Sequence, residues 1–313
     1  MIHIFIINNY AGRRDAAGNI RKHLAERKDL RYFVFNTIEA GFETTIVKRI
    51  LKYFVGEKLR FYCCGGSGTM RNMLAGFDSF EGVEVAFFPC GLTNDFLKSF
   101  GEENAKFFTD IDNLIDGTVM PVDYIKTNYG VGLNTFSVGL DSMMLSKMDE
   151  FRVLDIFGSV VPYVLSAVWS LLRSKSREFE ISIDGKSMRG KFSELIVGNG
   201  GVLGGNLYVA RHTDVTDGRA SYFVGPRRDS VFLMPTLLRV MNKRFDKLRK
   251  NTLLGECSVF EIRSVNGGPI IMNLDGELVE GGEYWRAEIV NKGLNMVLPK
   301  EVAAGYTGVD YER

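Results

Sequence analysis

The chain has 313 residues, 45% of them hydrophobic, and its 39 basic and 38 acidic residues give a formal net charge of +1. This length is sufficient for two domains, and the composition is typical of a globular protein. Because the positive and negative charges nearly cancel, the chain has no overall field that would attract nucleic acid or an anionic membrane. We therefore expect no nucleic-acid partner.

The cysteines and the N-terminal residues indicate the cellular compartment of the protein. Cys63, Cys64, Cys90 and Cys257 show no metal-ligand spacing, which favours reduced thiols. The chain begins directly with a strand-like run and shows no signal-peptide pattern, so we expect a cytoplasmic protein. An uncharged run over 156–172 contains Gly, Pro and three serines, which favours a buried or partly exposed helix over a membrane span.

Strands alternate with helices in the first part of the chain. Apolar runs at 2–7, 32–36, 61–64 and 83–88 predict strands, and an amphipathic pattern over 44–54 is typical of the helices between them. Alternation at a spacing of about thirty residues predicts a doubly wound parallel sheet. Ligands of such sheets bind beyond the carboxyl ends of the strands.

Glycine-rich turns follow these strands. Gly-Gly-Ser-Gly-Thr at 65–69 leads into a helical pattern, an arrangement that aims several N–H groups at one point and suits phosphate. It lacks the Walker A lysine and the Rossmann spacing, so a tight turn that binds nothing is the alternative. A second turn occupies 89–96. A third segment, Asn8 to Arg14, ends in two arginines at a predicted helix start and could bind an anion, unless Arg13 and Arg14 are simply solvated.

The pattern changes near Tyr124. Alternating apolar residues predict a mostly antiparallel β-domain with helices near 150–173 and 229–249, and Asp184-Gly185 is a strong hairpin signal. The helix at 229–249 has basic and apolar faces, as an ordinary surface helix or one that contacts anionic lipid would have. The predicted strands lie at 178–183, 193–197, 220–224, 258–262, 270–274 and 285–290, with a further strand-like segment at 136–141.

The two glycine turns, Gly-Gly-Ser-Gly-Thr and Pro-Cys-Gly-Leu-Thr-Asn-Asp-Phe, resemble those of the diacylglycerol kinase catalytic-domain family, which includes bacterial lipid kinases and sphingosine kinases. By this resemblance we expect a nucleotide-binding domain over 1–123, a β-rich lipid-substrate domain over 124–299, and a tail over 300–313 that returns to the first domain. Asn199-Gly200, Asp217-Gly218 and Asp-Gly-Glu at 275–277 follow the order of that family in the second half.

The resemblance implies an N-terminal α/β domain of the phosphofructokinase and NAD-kinase type. A larger antiparallel β-sandwich-like domain would follow it, with a nucleotide site in the cleft between them. NAD kinases share the first glycine turn, but the Asn-Asp-Phe segment at 94–96 favours the lipid kinases.

The activity that the resemblance implies is transfer of the γ-phosphoryl group of ATP to a lipid hydroxyl, with Mg²⁺ as cofactor. Glu277 would be the general base in a catalytic segment that includes Asp275, unless this is only a hairpin turn with an exposed glutamate. Asp217, with backbone oxygens near Asp214 and Arg219, would hold a structural Mg²⁺, unless it is a solvated loop aspartate. The residues assigned to the nucleotide are Asn8, Gly12, Thr37, Gly65, Gly66, Ser67, Gly68, Thr69, Arg71, Gly91, Thr93 and Asn94.

The first glycine turn departs from the family pattern. Ser67 stands where the family has Asp, Arg71-Asn72 replaces Asn-Glu, and Leu92 replaces a threonine for which Thr93 is the nearest substitute. The turn has thus lost two carboxylates and gained a guanidinium, which preserves phosphate binding and weakens metal-assisted catalysis.

Two functions follow from this departure: a lipid kinase of unusual active-site composition, or a nucleotide- or lipid-binding relative that no longer transfers phosphate. The acceptor would be diacylglycerol or a related lipid. Contact with the membrane periphery and a homodimer are both compatible with the sequence.

Overall fold

The computed structural model describes residues 1–9, 11, 16–91, 94–151, 160–173, 177–225, 234–248 and 252–311. The helices in this part of the chain are α1 (Ala16–Glu26), α2 (Phe42–Tyr53), α3 (Ser67–Leu74), α4 (Ile111–Ile115), α5 (Leu140–Phe151), α6 (Val160–Arg173), α7 (Met234–Met241) and α8 (Lys300–Gly305). The strands are β1 (Ile2–Ile7), β2 (Tyr32–Asn36), β3 (Leu59–Gly65), β4 (Val83–Pro89), β5 (Thr118–Thr127), β6 (Gly130–Gly132), β7 (Thr135–Gly139), β8 (Arg177–Ile183), β9 (Lys186–Phe192), β10 (Glu194–Gly198), β11 (Val202–Leu203), β12 (Leu207–Tyr208), β13 (His212–Thr213), β14 (Ala220–Val224), β15 (Leu253–Cys257), β16 (Val259–Ser264), β17 (Ile271–Leu274), β18 (Glu277–Glu280), β19 (Tyr284–Leu298) and β20 (Val309–Asp310).

The first half of the chain forms the parallel sheet that the alternating pattern predicts. β2, β1, β3 and β4 lie side by side in that order and run in the same direction. Every residue of β1 and β3 is buried, as their continuous apolar sequences require when helices cover both faces. The α/β class of this domain is therefore confirmed.

The second half is an antiparallel sandwich, which confirms the other part of the predicted architecture. β15, β14, β10, β7, β17 and β18 form one sheet, and β16, β8 and β9 extend the first sheet opposite it. Aromatic side chains fill the space between the two layers, among them Phe136, Phe179, Phe260 and Trp285, all fully buried.

One long strand joins the two halves. β19 pairs antiparallel with β16 near its start and parallel with β4 near its end, where Met296 lies opposite Val85. The predicted strand at 285–290 is therefore longer than expected and ends in the core of the first domain, to which Leu294, Val297 and Leu298 also belong. Backbone pairing along β19 thus connects the two domains.

Two predicted elements differ from the structure. The strand-like segment at 136–141 ends at Gly139, whose φ of +128° turns the chain, and the unpredicted helix α5 begins at the next residue. The helix predicted near 150–173 is helical wherever it is described, at the end of α5 and over α6, whereas the one predicted near 229–249 ends with α7 at Met241 and is followed by a short 3₁₀ turn at Phe245–Lys247. Residues 152–159, 229–233 and 249 of these predictions lie outside the described residues. Across the residues that the structure describes, no helix combines the length and the apolar character needed to cross a membrane.

The C-terminal tail contacts both domains. Val302 of α8 is buried in the core of the first domain, and the ring of Tyr306 packs against Phe100. The tail then forms β20, which pairs with β13 of the second half.

Candidate active site

The carboxyl ends of the four parallel strands meet at one edge of the sheet. Ile7 lies opposite both Asn36 and Cys64, and Gly65 lies opposite Pro89. Main-chain bonds continue this alignment beyond the strands, since Asn8 N donates to Cys64 O at 2.9 Å and Thr37 N donates to Ile7 O at 3.0 Å. Asn8, Thr37 and the two glycine turns, all predicted nucleotide residues, therefore lie together.

The two glycine turns are in direct contact. Cys90 N and Gly91 N both donate to Gly65 O, at 2.8 and 3.2 Å. A Cβ added to Gly91 would lie 2.7 Å from the Cα of Gly66, so a side chain there would force the two turns apart. Asn94 fixes the second turn by donating from Nδ2 to Gly91 O at 2.8 Å.

The first turn presents main-chain donors at the start of α3. Gly66 is the extended N-cap residue, and Gly66 O accepts the first helical bond from Met70 N at 3.0 Å. The N–H groups of Ser67, Gly68 and Thr69 belong to the first turn, where a helix has no internal acceptors and carries partial positive charge. No acidic side chain occupies this first turn. The turn is thus suited to bind an anion.

Thr69 has a structural contact inside this turn. Its side chain is 5% exposed, and its Oγ1 accepts a bond from Asn8 Nδ2 at 3.0 Å. A Cβ on Gly65 would lie 2.5 Å from the side-chain atoms of Thr69, which explains the glycine. The bond between Asn8 and Thr69 ties the end of β1 to the start of α3.

Glu277 faces this turn from the second domain. It is the first residue of β18, and its side chain is exposed. A Cβ added to Gly68 would lie 2.6 Å from Glu277 Oε1, so only a glycine allows the carboxylate to approach the turn this closely. An acidic group of one domain and the main-chain donors of the other therefore border the same space.

Asp275 lies two residues earlier and has different contacts. It is 5% exposed, and its carboxylate accepts main-chain bonds from Leu133 N, Asn134 N at 2.9 Å and Thr135 N at 2.8 Å. Burial raises the pKa of this carboxyl group, whereas the three N–H donors act in the opposite direction. Its contacts hold the turn that carries Glu277.

Arg71 lies on α3 beside this space. It is half-buried, and its Nη2 is 4.0 Å from the position of a Cβ added to Gly130 of the second domain. The other two predicted nucleotide residues, Gly12 and Thr93, lie outside the described residues.

The predicted metal-binding residues line a separate small cavity of the second domain. Asp214, Asp217, Arg219 and Glu256 border it, and no residue of the glycine turns does. Asp214 Oδ1 accepts from Thr216 N, and Asp217 Oδ1 accepts from Arg219 N at 2.8 Å. Burial raises the pKa of Asp217, and the negative charge of Asp214 adds to this effect.

A full set of metal-binding side chains is not present there. The described residues contain no group of three or more His, Cys, Asp or Glu side chains that could hold a metal ion. Both aspartates border this one cavity, and carboxylate oxygens are the kind of ligand that a hard cation binds.

Sequence reasoning missed the acids that join the domains. Asp95 is 5% exposed and accepts from Gly205 N at 3.0 and 3.2 Å, with Lys98 Nζ 3.5 Å away. Asp123 is fully buried and accepts from Gly218 N and Lys292 N, both at 2.6 Å. Asp95 lies within the second glycine motif, directly before the buried Phe96. An acidic residue next to a buried aromatic residue was the sequence feature that could have indicated a buried carboxylate here.

Comparisons with known proteins agree with this architecture. Residues 3–127 match the model of the diacylglycerol kinase catalytic domain, and residues 134–297 match that of the YegS C-terminal NAD kinase beta sandwich-like domain. The fold and the matched segments define a two-domain kinase-like protein. The chain belongs to the diacylglycerol kinase catalytic-domain family.

Individual relatives are distant. A Staphylococcus epidermidis protein named "Putative lipid kinase" is 27% identical over 164 residues, 52% of each chain, and a Staphylococcus haemolyticus protein of similar name is 27% identical over 55% of each. The chain thus spans about half the length of the curated relatives it matches. A crystal structure titled as a "putative diacylglycerol kinase" from Bacillus anthracis superposes with a TM-score of 0.71 at 21% identity, covering 95% of this chain and 97% of the other. At this identity the likeness concerns the fold.

Proposed function

We propose that this protein transfers the γ-phosphoryl group of ATP to the hydroxyl group of a lipid, as a lipid kinase-like transferase. The observation that carries this proposal is the approach of Glu277 to Gly68. It puts an acceptor of protons directly beside the main-chain donors of a glycine turn. Phosphoryl transfer needs both, since the reacting groups must be aligned and the developing charge must be stabilised.

The nucleotide is proposed to bind with its phosphates at the contact between the two glycine turns. The main-chain donors of the α3 start would bind phosphate oxygens, and the missing side chains of Gly66 and Gly91 leave room for close approach. Asn8 and Thr37 border the same edge of the sheet. The set proposed for ATP consists of Asn8, Gly12, Thr37, Gly65, Gly66, Ser67, Gly68, Thr69, Gly91, Thr93 and Asn94, with Arg71 on its second-domain side.

Glu277 is proposed as the general base. Its exposed carboxylate would accept the proton of the lipid hydroxyl as the oxygen attacks the γ-phosphorus. Asp275 is a positioning residue, because its buried carboxylate holds the preceding turn through three main-chain bonds.

A Mg²⁺ bound in the second domain would have a structural role, because no residue of the glycine turns borders that cavity. Asp214 and Asp217, with nearby main-chain oxygens, are the residues that would hold it in the second domain. Near the glycine turns Ser67 is neutral and Arg71 is already cationic, so the residues present there are a poor fit for a second cation.

This neutral serine favours the alternative function, a nucleotide- or lipid-binding relative without phosphoryl transfer. If a carboxylate at position 67 is indispensable for the reaction, the turn would still bind phosphate through its main-chain N–H groups. The cleft would then serve binding alone.

A lipid substrate is supported by apolar surfaces of the second domain. A cavity of about 340 Å³ lies between α5 and the sandwich, bordered by Val138, Met143, Phe179, Phe192 and Ile271. On α6, the partly exposed Leu165, Val168 and Leu172 lie on one face, and α7 exposes Leu238 and Met241 beside Arg239. We propose that these helices contact the membrane surface from which the lipid is taken.

The assay that tests the function uses radiolabelled ATP with diacylglycerol, phosphatidylglycerol and sphingosine, with and without Mg²⁺, for the wild type and Ser67→Asp. We expect labelled lipid from the wild type and an increased rate from Ser67→Asp. If the wild type binds ATP but is inert while Ser67→Asp is active, the kinase proposal is wrong and the binding function stands.

The base assignment has its own test. Glu277→Ala should lower kcat by about 10²–10⁴-fold, the usual contribution of a general base, without loss of ATP binding. Glu280→Ala is the matched control, since this exposed glutamate ends the same strand. Unchanged turnover in Glu277→Ala would remove Glu277 from the mechanism.

A further inference from the structure

The aspartate loop, residues 214–217, is anchored outside the second domain. Val215 lies between the two acids of the loop, and its side chain is fully buried in the core of the first domain. Its carbonyl oxygen accepts a hydrogen bond from Asp123 N at 2.7 Å. Thr213, which precedes the loop, belongs to β13, and β13 pairs with β20 of the C-terminal tail. The position of the loop therefore depends on the first domain and on the tail.

Tyr306 of the tail contacts this loop at two points. Its hydroxyl accepts a hydrogen bond from Val215 N at 2.8 Å. Burial raises the pKa of this hydroxyl, so it keeps its proton, and the Asp214 carboxylate acts on it both through its charge and as a hydrogen-bond acceptor. Partners of this kind orient the carboxylates that bind metal ions. One hydroxyl group thus holds the main chain of the loop and one of its two acids.

The ring of Tyr306 lies against the segment that follows the second glycine turn. It packs against Phe100, with the ring centroids 5.4 Å apart. Phe100 is 2% exposed and is the last residue of a 3₁₀ helix, Asp95–Phe100, that begins within the second glycine motif. Close-packed interiors transmit displacements because they contain few voids. A movement of this short helix therefore reaches Asp214 through a single side chain.

Tyr311 fastens the end of the tail between the same two segments. It is 3% exposed, and its hydroxyl donates to Lys98 O of the short helix at 3.3 Å. Its main-chain N donates to Arg211 O, next to β13, at 2.7 Å. A Cβ added to Gly201 would lie 2.1 Å from a ring atom of Tyr311, so only a glycine leaves room for this ring. The tail is thus held by the short helix on one side and by the strand before the aspartate loop on the other.

We propose that the tail couples the aspartate loop to the second glycine turn, and that Tyr306 is the positioning residue that orients Asp214 for cation binding. The inference rests on the proposed function, to which both sites belong, and adds a dependence of cation affinity on the first domain. Among the described residues, none from the glycine turns borders the aspartate cavity, so the coupling passes through the side chains between the two sites.

The first measurement tests the hydroxyl group. Mn²⁺ is the probe, detected by electron paramagnetic resonance, and the full chain is free of nucleotide so that ATP does not chelate the ion. Tyr306→Phe retains the ring and should weaken Mn²⁺ binding by about ten- to a hundred-fold. Tyr284→Phe is the control and should bind as the wild type does, because the Tyr284 hydroxyl donates to another carboxylate, Glu261 Oε1, at 2.5 Å. Equal affinity in Tyr306→Phe and the wild type would overturn the role of Tyr306.

The second measurement tests the ring contact with the same probe. Phe100→Leu changes no residue of the aspartate cavity, yet it should weaken Mn²⁺ binding by about two- to thirty-fold through the displaced tyrosine. Phe77→Leu is the matched control, since this ring packs against Phe61 and Phe80 in the same core. Thermal melts establish that each variant is folded. Unchanged Mn²⁺ affinity in Phe100→Leu, or an equal loss in Phe77→Leu, contradicts the coupling.

Two further results separate this inference from the proposed kinase function. Asp217→Asn should abolish the binding of Mn²⁺, which places the ion at the aspartate loop. If the wild type binds no Mn²⁺, or if Asp217→Asn binds it equally well, the inference is wrong whatever the turnover. If the expected losses of affinity are found in a protein that transfers no phosphate to any lipid, the kinase function is wrong and the coupling stands.

Discussion

Two hairpins of this protein turn through the same dipeptide in the same backbone conformation. Asp184-Gly185 joins β8 to β9 with φ angles of 47° and 82°, and Asp275-Gly276 joins β17 to β18 with 51° and 90°. Positive φ at both central residues is the two-residue turn that Asp-Gly favours in hairpins. Local sequence therefore determines both turns equally well.

Their surroundings differ. Asp184 is exposed, and its Oδ1 accepts from Ser258 N and Val259 N, both at 2.9 Å, at the margin of the sandwich. Asp275 is buried and fastens three consecutive main-chain N–H groups, and the residue after its glycine is Glu277. Two turns of the same backbone conformation thus differ in the burial of their aspartate and in what the next side chain approaches, which for Glu277 is Gly68.

The largest effect should come from removing the buried aspartate. Asp275→Ala leaves three buried N–H groups without an acceptor, so we expect a loss of about 3–5 kcal/mol in the free energy of unfolding. Asp184→Ala, the matched variant, should lose only about 1 kcal/mol, because water can replace an exposed side chain. Urea denaturation of both variants measures the difference. Equal losses would show that the two turns are energetically equivalent after all.

A second layer of buried polar groups supports the Asp275 turn, whereas Asp184 pairs with the partly exposed Arg219, whose Nη1 lies 3.4 Å from Asp184 Oδ2. Asn273 Oδ1 accepts from Gly276 N at 2.8 Å, and Asn273 Nδ2 donates to Asp141 Oδ2 at 2.5 Å. Asp141 N in turn donates to Glu194 Oε2 at 3.1 Å. Burial raises the pKa of Glu194 well above its usual 4.5, and the charge of Asp141 adds to the rise.

This layer should make stability depend on pH in a definite direction. An acid with a raised pKa in the folded state keeps its proton there while the unfolded chain loses it, so its contribution is complete below about pH 4.5 and is lost as the pH rises. One such group accounts for a slope of about 1.4 kcal/mol per pH unit. Glu194→Gln should therefore lose less stability than the wild type between about pH 5 and about pH 8. Denaturation at several pH values tests this, with the exposed Glu280→Gln as control; identical slopes in the wild type and Glu194→Gln would refute it.

The sequence predicted the local features of the site better than its assembly. The glycine turns, the Asp-Gly turns and the order of the strands follow from neighbouring residues, and the fold class they indicated is confirmed. The contact of Glu277 with Gly68 joins residues about two hundred positions apart and depends on the pairing of β17 with β7 and with β18. The cross-domain bond of Asp95 to Gly205 depends in the same way on the packing of two loops. No periodic pattern in a single chain encodes such long-range register.

Adding a single methyl group to the glycine of each turn should distinguish an effect on stability from an effect on turnover. Gly185 and Gly276 both have positive φ, and nothing lies within 4 Å of a Cβ added to either. Gly185→Ala and Gly276→Ala should therefore cost about the same, roughly 1–2 kcal/mol of backbone strain. Only Gly276 precedes Glu277, so only Gly276→Ala should also lower kcat, by about 10²-fold for a displacement of the base of about 1 Å. If denaturation gives equal losses and turnover also falls equally, the two turns act through stability alone, and the position of the glutamate after the second turn has no catalytic meaning.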